Sequence, residues 1–155
     1  VDGALSTLIA VLGTLLGVGM TQLFQRRATE RNERFASQQQ LRSERMTVYS
    51  DFAGAVTEFR RGQADRWHRT SEDPDGPACF EARMESYRLR ARSLHALFRV
   101  QLIASGPTTN DAAQHAHHLT ARLHTAPDET EFDALAQQAR DAVQQFVRLA
   151  SSDVQ

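Results

Sequence analysis

The chain has 155 residues, with 18 arginines, no lysine, 19 acidic side chains and a formal net charge of -1. That near-neutral balance argues against a nucleic-acid-binding protein, which needs a basic face, so no direct contact with nucleic acid is expected. The lone cysteine, Cys79, excludes an internal disulfide and a thiolate metal site, and reads as a helix-end packing residue in a reducing compartment.

The first element is ALSTLIAVLGTLLGVGMTQLF, Ala4 to Phe24, which carries no charged side chain. At about 1.5 Å per helical residue, roughly 20 such residues cross a hydrocarbon core about 30 Å thick. Residues 1–24 are therefore predicted to be a single transmembrane anchor. Arg26 and Arg27 follow it directly and would lie at the anionic cytoplasmic surface, which places the N-terminus outside and the remainder in the cytoplasm. A cleaved signal peptide fits less well: no basic residue precedes the run, the run exceeds a typical apolar signal core, and no Ala-x-Ala site closes it. Within the anchor, Gly3, Ser6, Ala10, Gly13 and Gly17 recur at three- and four-residue steps. Small residues let helix backbones approach, so this stripe is the candidate oligomerisation seam, with Leu5, Leu8, Leu12, Leu15 and Leu16 turned to lipid. Membrane lipid and further copies of the chain are the expected partners.

No proline interrupts the chain from Gln25 to about Thr70, so one helix is predicted to leave the membrane without a break. Residues 25–40 are polar nearly all round and read as a helical stalk, either solvated or paired with copies of itself as a coiled coil. From Leu41 an apolar face develops through Val48, Phe52, Val56 and Phe59, with Met46 and Tyr49 at its edge and Trp67 further on. Pro74, Asp75-Gly76 and Pro77 then enforce a reversal. The next helix, about Ala78 to Ala104, carries Phe80, Met84, Tyr87, Ala91, Leu94, Phe98 and Leu102 along one side, which the periodicity predicts to be its buried face. A third helix is predicted from Asp111 to His124, capped by Thr109 or Asn110, and burying Ala112, Ala116, Leu119 and Leu123. Thr125 reads as the N-cap of a fourth, which carries Phe132, Leu135, Ala139, Ala142, Val143, Phe146 and Leu149 and leaves 151–155 as a frayed tail. The predicted fold is all-α: the anchor, the stalk, and an antiparallel four-helix bundle over 41–150 that would lie in the cytosol.

Candidate chemistry is sparse. Asp111, His115 and His118 fall at i, i+4 and i+7 and are acceptable Zn or Fe ligands, with His117 and His124 on a neighbouring line. No HExxH or paired Glu-x-x-His motif accompanies them, and a bundle metal site needs inward ligands from several helices. Ser6, Ser43, Ser50 and Ser93 lie in helical contexts without the strand-turn-helix of a nucleophile elbow. Neither catalytic residues nor a cofactor are expected. Arg60, Arg61, Arg66, Trp67 and Arg69 form a cluster that could contact an acidic cytosolic partner; the competing expectation has Trp67 plugging the bundle end while the arginines pair with nearby carboxylates.

The segments IAVLGTLLG, LFQRR, ERMTVYSDFAGAVTEFRRGQADRWHR and EDPDGPA resemble KilB-like small membrane proteins of actinobacteria, most strongly from Ile9 to Ala78. That family is named for a Streptomyces plasmid product linked to plasmid spread during conjugation. The resemblance implies a single-pass membrane protein acting in DNA transfer between hyphal compartments, or a chromosomal relative, and transfers no functional residues. Together these readings give a non-enzymatic membrane protein that self-assembles as a scaffold or docks a partner. The alternatives are an oligomeric pore, which predicts conductance, and a membrane-tethered metal enzyme or sensor, which predicts bound metal.

Overall fold

The computed structural model describes the backbone over 2–154 and the side chains over 35–154. Among the described residues there are four helices, α1 (Asp2–Glu72), α2 (Pro77–Ile103), α3 (Pro107–Arg122) and α4 (Glu129–Asp153), with a 3-10 turn, Leu123–Thr125, between the last two. The chain divides into two compact units, Val1–Leu41 and Arg42–Gln155. Among the described residues no helix is long and apolar enough to cross a membrane. The predicted anchor, its seam Gly3, Ser6, Ala10, Gly13 and Gly17, and the basic pair Arg26 and Arg27 lie outside the residues whose side chains are described.

Cross-helix partners fix the topology of the second unit. Arg92 meets Glu58 at 2.8 Å and Arg99 meets Asp51 at 2.7 Å, so α2 runs antiparallel to α1. Gln63 reaches the Ala121 carbonyl and Trp67 the Ala126 carbonyl, which sets α3 parallel to α1. Tyr49 bonds Asp153 while Trp67 stacks on Phe132, which turns α4 back again. The result is an up-down-up-down helical bundle. Its main core joins Val48, Tyr49, Phe52 and Val56 of α1 to Leu97 and Val100 of α2, Ala113 of α3, and Phe146 and Ala150 of α4. Phe52, Phe59 and Phe146 are fully buried, and Phe52 meets Phe146 edge to face at 4.8 Å. Of the expected α1 face, Leu41 and Met46 are exposed, while Tyr49 is buried.

α2 reverses its predicted orientation. The side chains that face the core are Cys79, Ala82, Ser86, Leu89, Ser93, Ala96, Leu97 and Val100, whereas Phe80, Met84, Tyr87, Phe98 and Leu102 are exposed. The cause is volume. The three large rings from α1 and α4 already fill the interior, and α2 comes so near α1 that a Cβ on Gly62 would lie 2.5 Å from Leu89 Cδ1. Ala82, Ser86, Ser93 and Ala96 complete the inward face beside Leu89, Leu97 and Val100, and the aromatic stripe turns outward.

Helix starts also differ from expectation. Gly106 and Pro107 open α3, because proline is preorganised for the first helical position; Thr109 is drawn inside instead of capping. Asp128, not Thr125, caps α4: its Oδ1 accepts from the Glu131 amide at 2.9 Å, while Thr125 donates to the Arg122 carbonyl. Gly76 opens α2 in extended conformation, its Cα facing the Asp73 side chain, so a Cβ there would displace the Asp73 carboxylate. The expected frayed tail is tied down in part, since α4 continues to Asp153, whose carboxylate accepts from the Tyr49 hydroxyl, and Val154 packs against the core.

Candidate interaction surface

The outer side of α2 carries a row of large apolar side chains that the bundle leaves open. Phe80 is 63% exposed, Met84 51%, Tyr87 49%, Phe98 51% and Leu102 88%. Ala91 is exposed between them, and Leu94 is half-buried at the edge of the main core. These positions are four, three, four, three and four residues apart from Phe80 to Phe98, the spacing of a coiled-coil seam. The helix is thus apolar on two opposite sides, with Leu89, Leu97, Val100 and smaller residues inward and the three aromatic rings outward.

Arginines border the stripe. On the α1 side Arg88 holds Glu85 at 2.6 Å, and the links of Arg92 to Glu58 and Arg99 to Asp51 tie the two helices at the surface. The Glu85 carboxyl is held below its usual range by its hydrogen bond from Arg88. Arg66 of α1 places its guanidinium 5.4 Å from the Tyr87 ring centre, covering one flank of the stripe. Arg83 and Arg90, seven residues apart and exposed, lie along the other border. In all, α2 carries five arginines and two glutamates.

The sequence-level candidates are distributed differently. Trp67 plugs the far end of the bundle: its indole donates to the Ala126 carbonyl at 2.8 Å and its ring stacks on Phe132 at 4.4 Å, with His68 edge-on to both. Arg69 pairs with Asp65 and Glu72, Arg66 turns to Tyr87, and Arg61 is exposed. Arg60 is half-buried, and burial followed by the charges of Arg140 and Arg61 holds its guanidinium below its usual range. The five residues therefore do not converge on one surface. Asp111 and His115 border a shallow hollow of about 340 Å³ shared with Ala142 and Gln145 of α4, while His118 is exposed. Among the described residues no group of three or more His, Cys, Asp and Glu side chains is placed to hold a metal ion.

The other two histidines of α3 and its following turn serve the interior. His117 Nδ1 lies 3.0 Å from the hydroxyl of fully buried Ser93, and its ring packs on Phe59. His124 Nδ1 sits 3.2 Å from Gln63 Nε2, and Gln63 also donates to the Ala121 carbonyl at 2.9 Å. Burial first, and then the charges of Arg90 and His118, lower the His117 pKa; burial and Arg66 do the same for His124, against an opposing hydrogen bond to Ala121. These two cross-helix contacts, Ser93 with His117 and Gln63 with His124, have no counterpart in the sequence reading. Their only trace there is Ser86 and Ser93, seven apart in line with Cys79 and Val100.

The model of the KilB plasmid transfer protein family matches residues 46–154. The chain belongs to that family. The matched stretch coincides with the helical bundle and includes all of α2, so the outward stripe is part of what the family match covers. No curated protein and no solved structure matches the chain.

Proposed function

We propose that this KilB family protein acts in plasmid transfer as a non-enzymatic, self-assembling membrane component, held by Ala4 to Phe24 and presenting its bundle to further copies or to a partner in the cytoplasm. A role in plasmid transfer follows from the family. The observation that carries the assembly reading is the outer face of α2: five large apolar side chains, each about half exposed or more, in heptad spacing along one helix. A bundle that only needed to fold would place polar residues there. The uncharged run ahead of Arg26 and Arg27 supports the anchor. The outward stripe supports α2 as the protein-binding face, and the small-residue seam of the anchor would be a second contact within the membrane.

The test is plasmid spread in a mating assay with Phe80→Glu and Phe98→Glu introduced together, protein level being followed by immunoblot. Both positions are exposed, so normal abundance is expected while spread is lost. Undiminished spread at normal protein level would refute the role of this face.

A further inference from the structure

We propose that the outer groove between α1 and α4 docks an acidic amphipathic helix of a protein partner, which sets an apolar side chain in a hollow at one end and carboxylates on Arg60, Arg61 and Arg140 further along. This surface belongs to other helices than the α2 stripe and does not depend on the self-assembly reading above.

Two rows of residues build the groove. On α1 they are Met46, Ala53 and Arg60, and on α4, which runs the other way, Val154, Val147 and Arg140, each seven residues from the next. Residues at that spacing share one side of a helix. Met46, Ala53, Val147 and Val154 all line one open, mostly apolar hollow of about 350 Å³, so the first two members of each row lie opposite one another. One heptad further, about 10.5 Å along, the same register sets Arg60 against Arg140, with exposed Arg61 following Arg60. Charge agrees with that placement: burial first, and then Arg140 and Arg61, hold the Arg60 guanidinium below its usual range.

Three guanidiniums thus gather without a counter-charge. Among the described residues no ion pair joins any of them to a carboxylate, because Glu58 goes to Arg92 and Asp65 to Arg69, while Asp141 accepts from Gln137. Arg140 is bonded to the side-chain oxygen of Gln137, a neutral group. Like charges held together cost stability, and an anionic group supplied from outside removes that cost. The neighbouring hollow narrows the choice of occupant. An apolar side chain and a carboxylate two turns apart on one side of a helix span the same distance as the hollow and the arginines, so a helix laid along the groove engages both. Nucleic acid would need a run of cations in place of the hollow. A second copy offers no match through its own open face, since α2 carries five arginines against two glutamates.

The experiment is fluorescence anisotropy with a labelled helical peptide of about 20 residues, carrying Leu on two successive turns and Glu on the next two, titrated with the full-length protein in zwitterionic nanodiscs. Saturable binding is expected, weakening as salt is raised and about tenfold when Gln replaces the Glu residues of the peptide. Arg60→Gln with Arg140→Gln, and separately Val147→Glu, should each weaken it about tenfold with helical content unchanged, whereas Phe80→Glu with Phe98→Glu on α2 should leave it as it is. Equal binding by the native chain and the groove variants would overturn the proposal, as would no binding at all. Binding lost only with Phe80→Glu and Phe98→Glu would also overturn it and move the acidic helix to the α2 stripe. Displacement of the peptide by vesicles of phosphatidylglycerol but not of phosphatidylcholine, with the groove variants failing to bind those vesicles, would assign the groove to an anionic lipid surface in place of a protein. The peptide reads the groove and the Phe80 and Phe98 variants read the stripe, so either surface can fail without the other.

Discussion

Phe146→Ala and Phe98→Ala compare two phenylalanines that the sequence treats alike. Both sit at apolar helical positions and both were expected to be core. Phe146 is 0% exposed and meets the rings of Phe52 at 4.8 Å and Tyr49 at 5.9 Å, so its removal opens a cavity in the main core between α4 and α1. A buried Phe→Ala change costs about 3–5 kcal/mol, and loss of two edge-to-face contacts places this one toward the upper end. Phe98 is 51% exposed on the far side of α2, so its removal from a single chain should cost under about 1 kcal/mol. Urea unfolding of the full chain, followed by circular dichroism at several protein concentrations, separates the two. Phe146→Ala should lower stability equally at every concentration. Phe98→Ala should lower it only where copies associate, because pairing stabilises the folded state by mass action. If Phe98→Ala were as damaging as Phe146→Ala even at the lowest concentration, the outward assignment of the stripe would be wrong.

Three further outcomes follow from the interior. The pKa values of His117 and His124 lie below the usual 6.5, so in that window the unfolded chain binds more protons than the folded one. Stability should hold above pH 6.5 and fall as the pH drops below it; unfolding midpoints from pH 8 to pH 5 for the native chain against His117→Asn with His124→Gln should show the slope reduced in the double variant. Gln63 is 3% exposed and donates to the Ala121 carbonyl while its Oε1 has no partner among the described residues, so Gln63→Leu should cost about 1 kcal/mol by thermal melting, and Gln63→Ala about 2 kcal/mol more through the void it leaves. Trp67→Phe keeps the stack on Phe132 but gives up the bond to Ala126 and should cost about 1 kcal/mol, against about 3–5 kcal/mol for Trp67→Ala, measured by urea titration.

The all-helical architecture could be read from the sequence because periodicity and punctuation agree over long spans. Pro74 to Pro77 and Gly106-Pro107 mark reversals whatever packs nearby, and Val48, Phe52, Val56 and Phe59 leave α1 only one apolar side. α2 could not be oriented in the same way because it has two candidate faces. Hydrophobicity favours Phe80, Met84, Tyr87 and Phe98, but burial is decided by the space left between neighbouring helices, and that depends on Gly62 and on rings supplied by α1 and α4. The arginine and tryptophan cluster is spread around α1 for a related reason. Arg60, Arg66 and Arg69 are close in sequence but point around α1 to three different surroundings. His117 and His124 were visible as a line, yet their partners Ser93 and Gln63 come from other helices, and no local pattern announces such pairings.

The most direct measurement is the mass of the full-length protein in nanodiscs by light scattering corrected for lipid, native against Phe80→Glu with Phe98→Glu. The expected result is a defined multimer that drops to a smaller particle when the two charges are introduced, with helical content unchanged. A native particle holding one chain, or a multimer indifferent to both substitutions, would contradict the claim that the outer face of α2 builds the assembly.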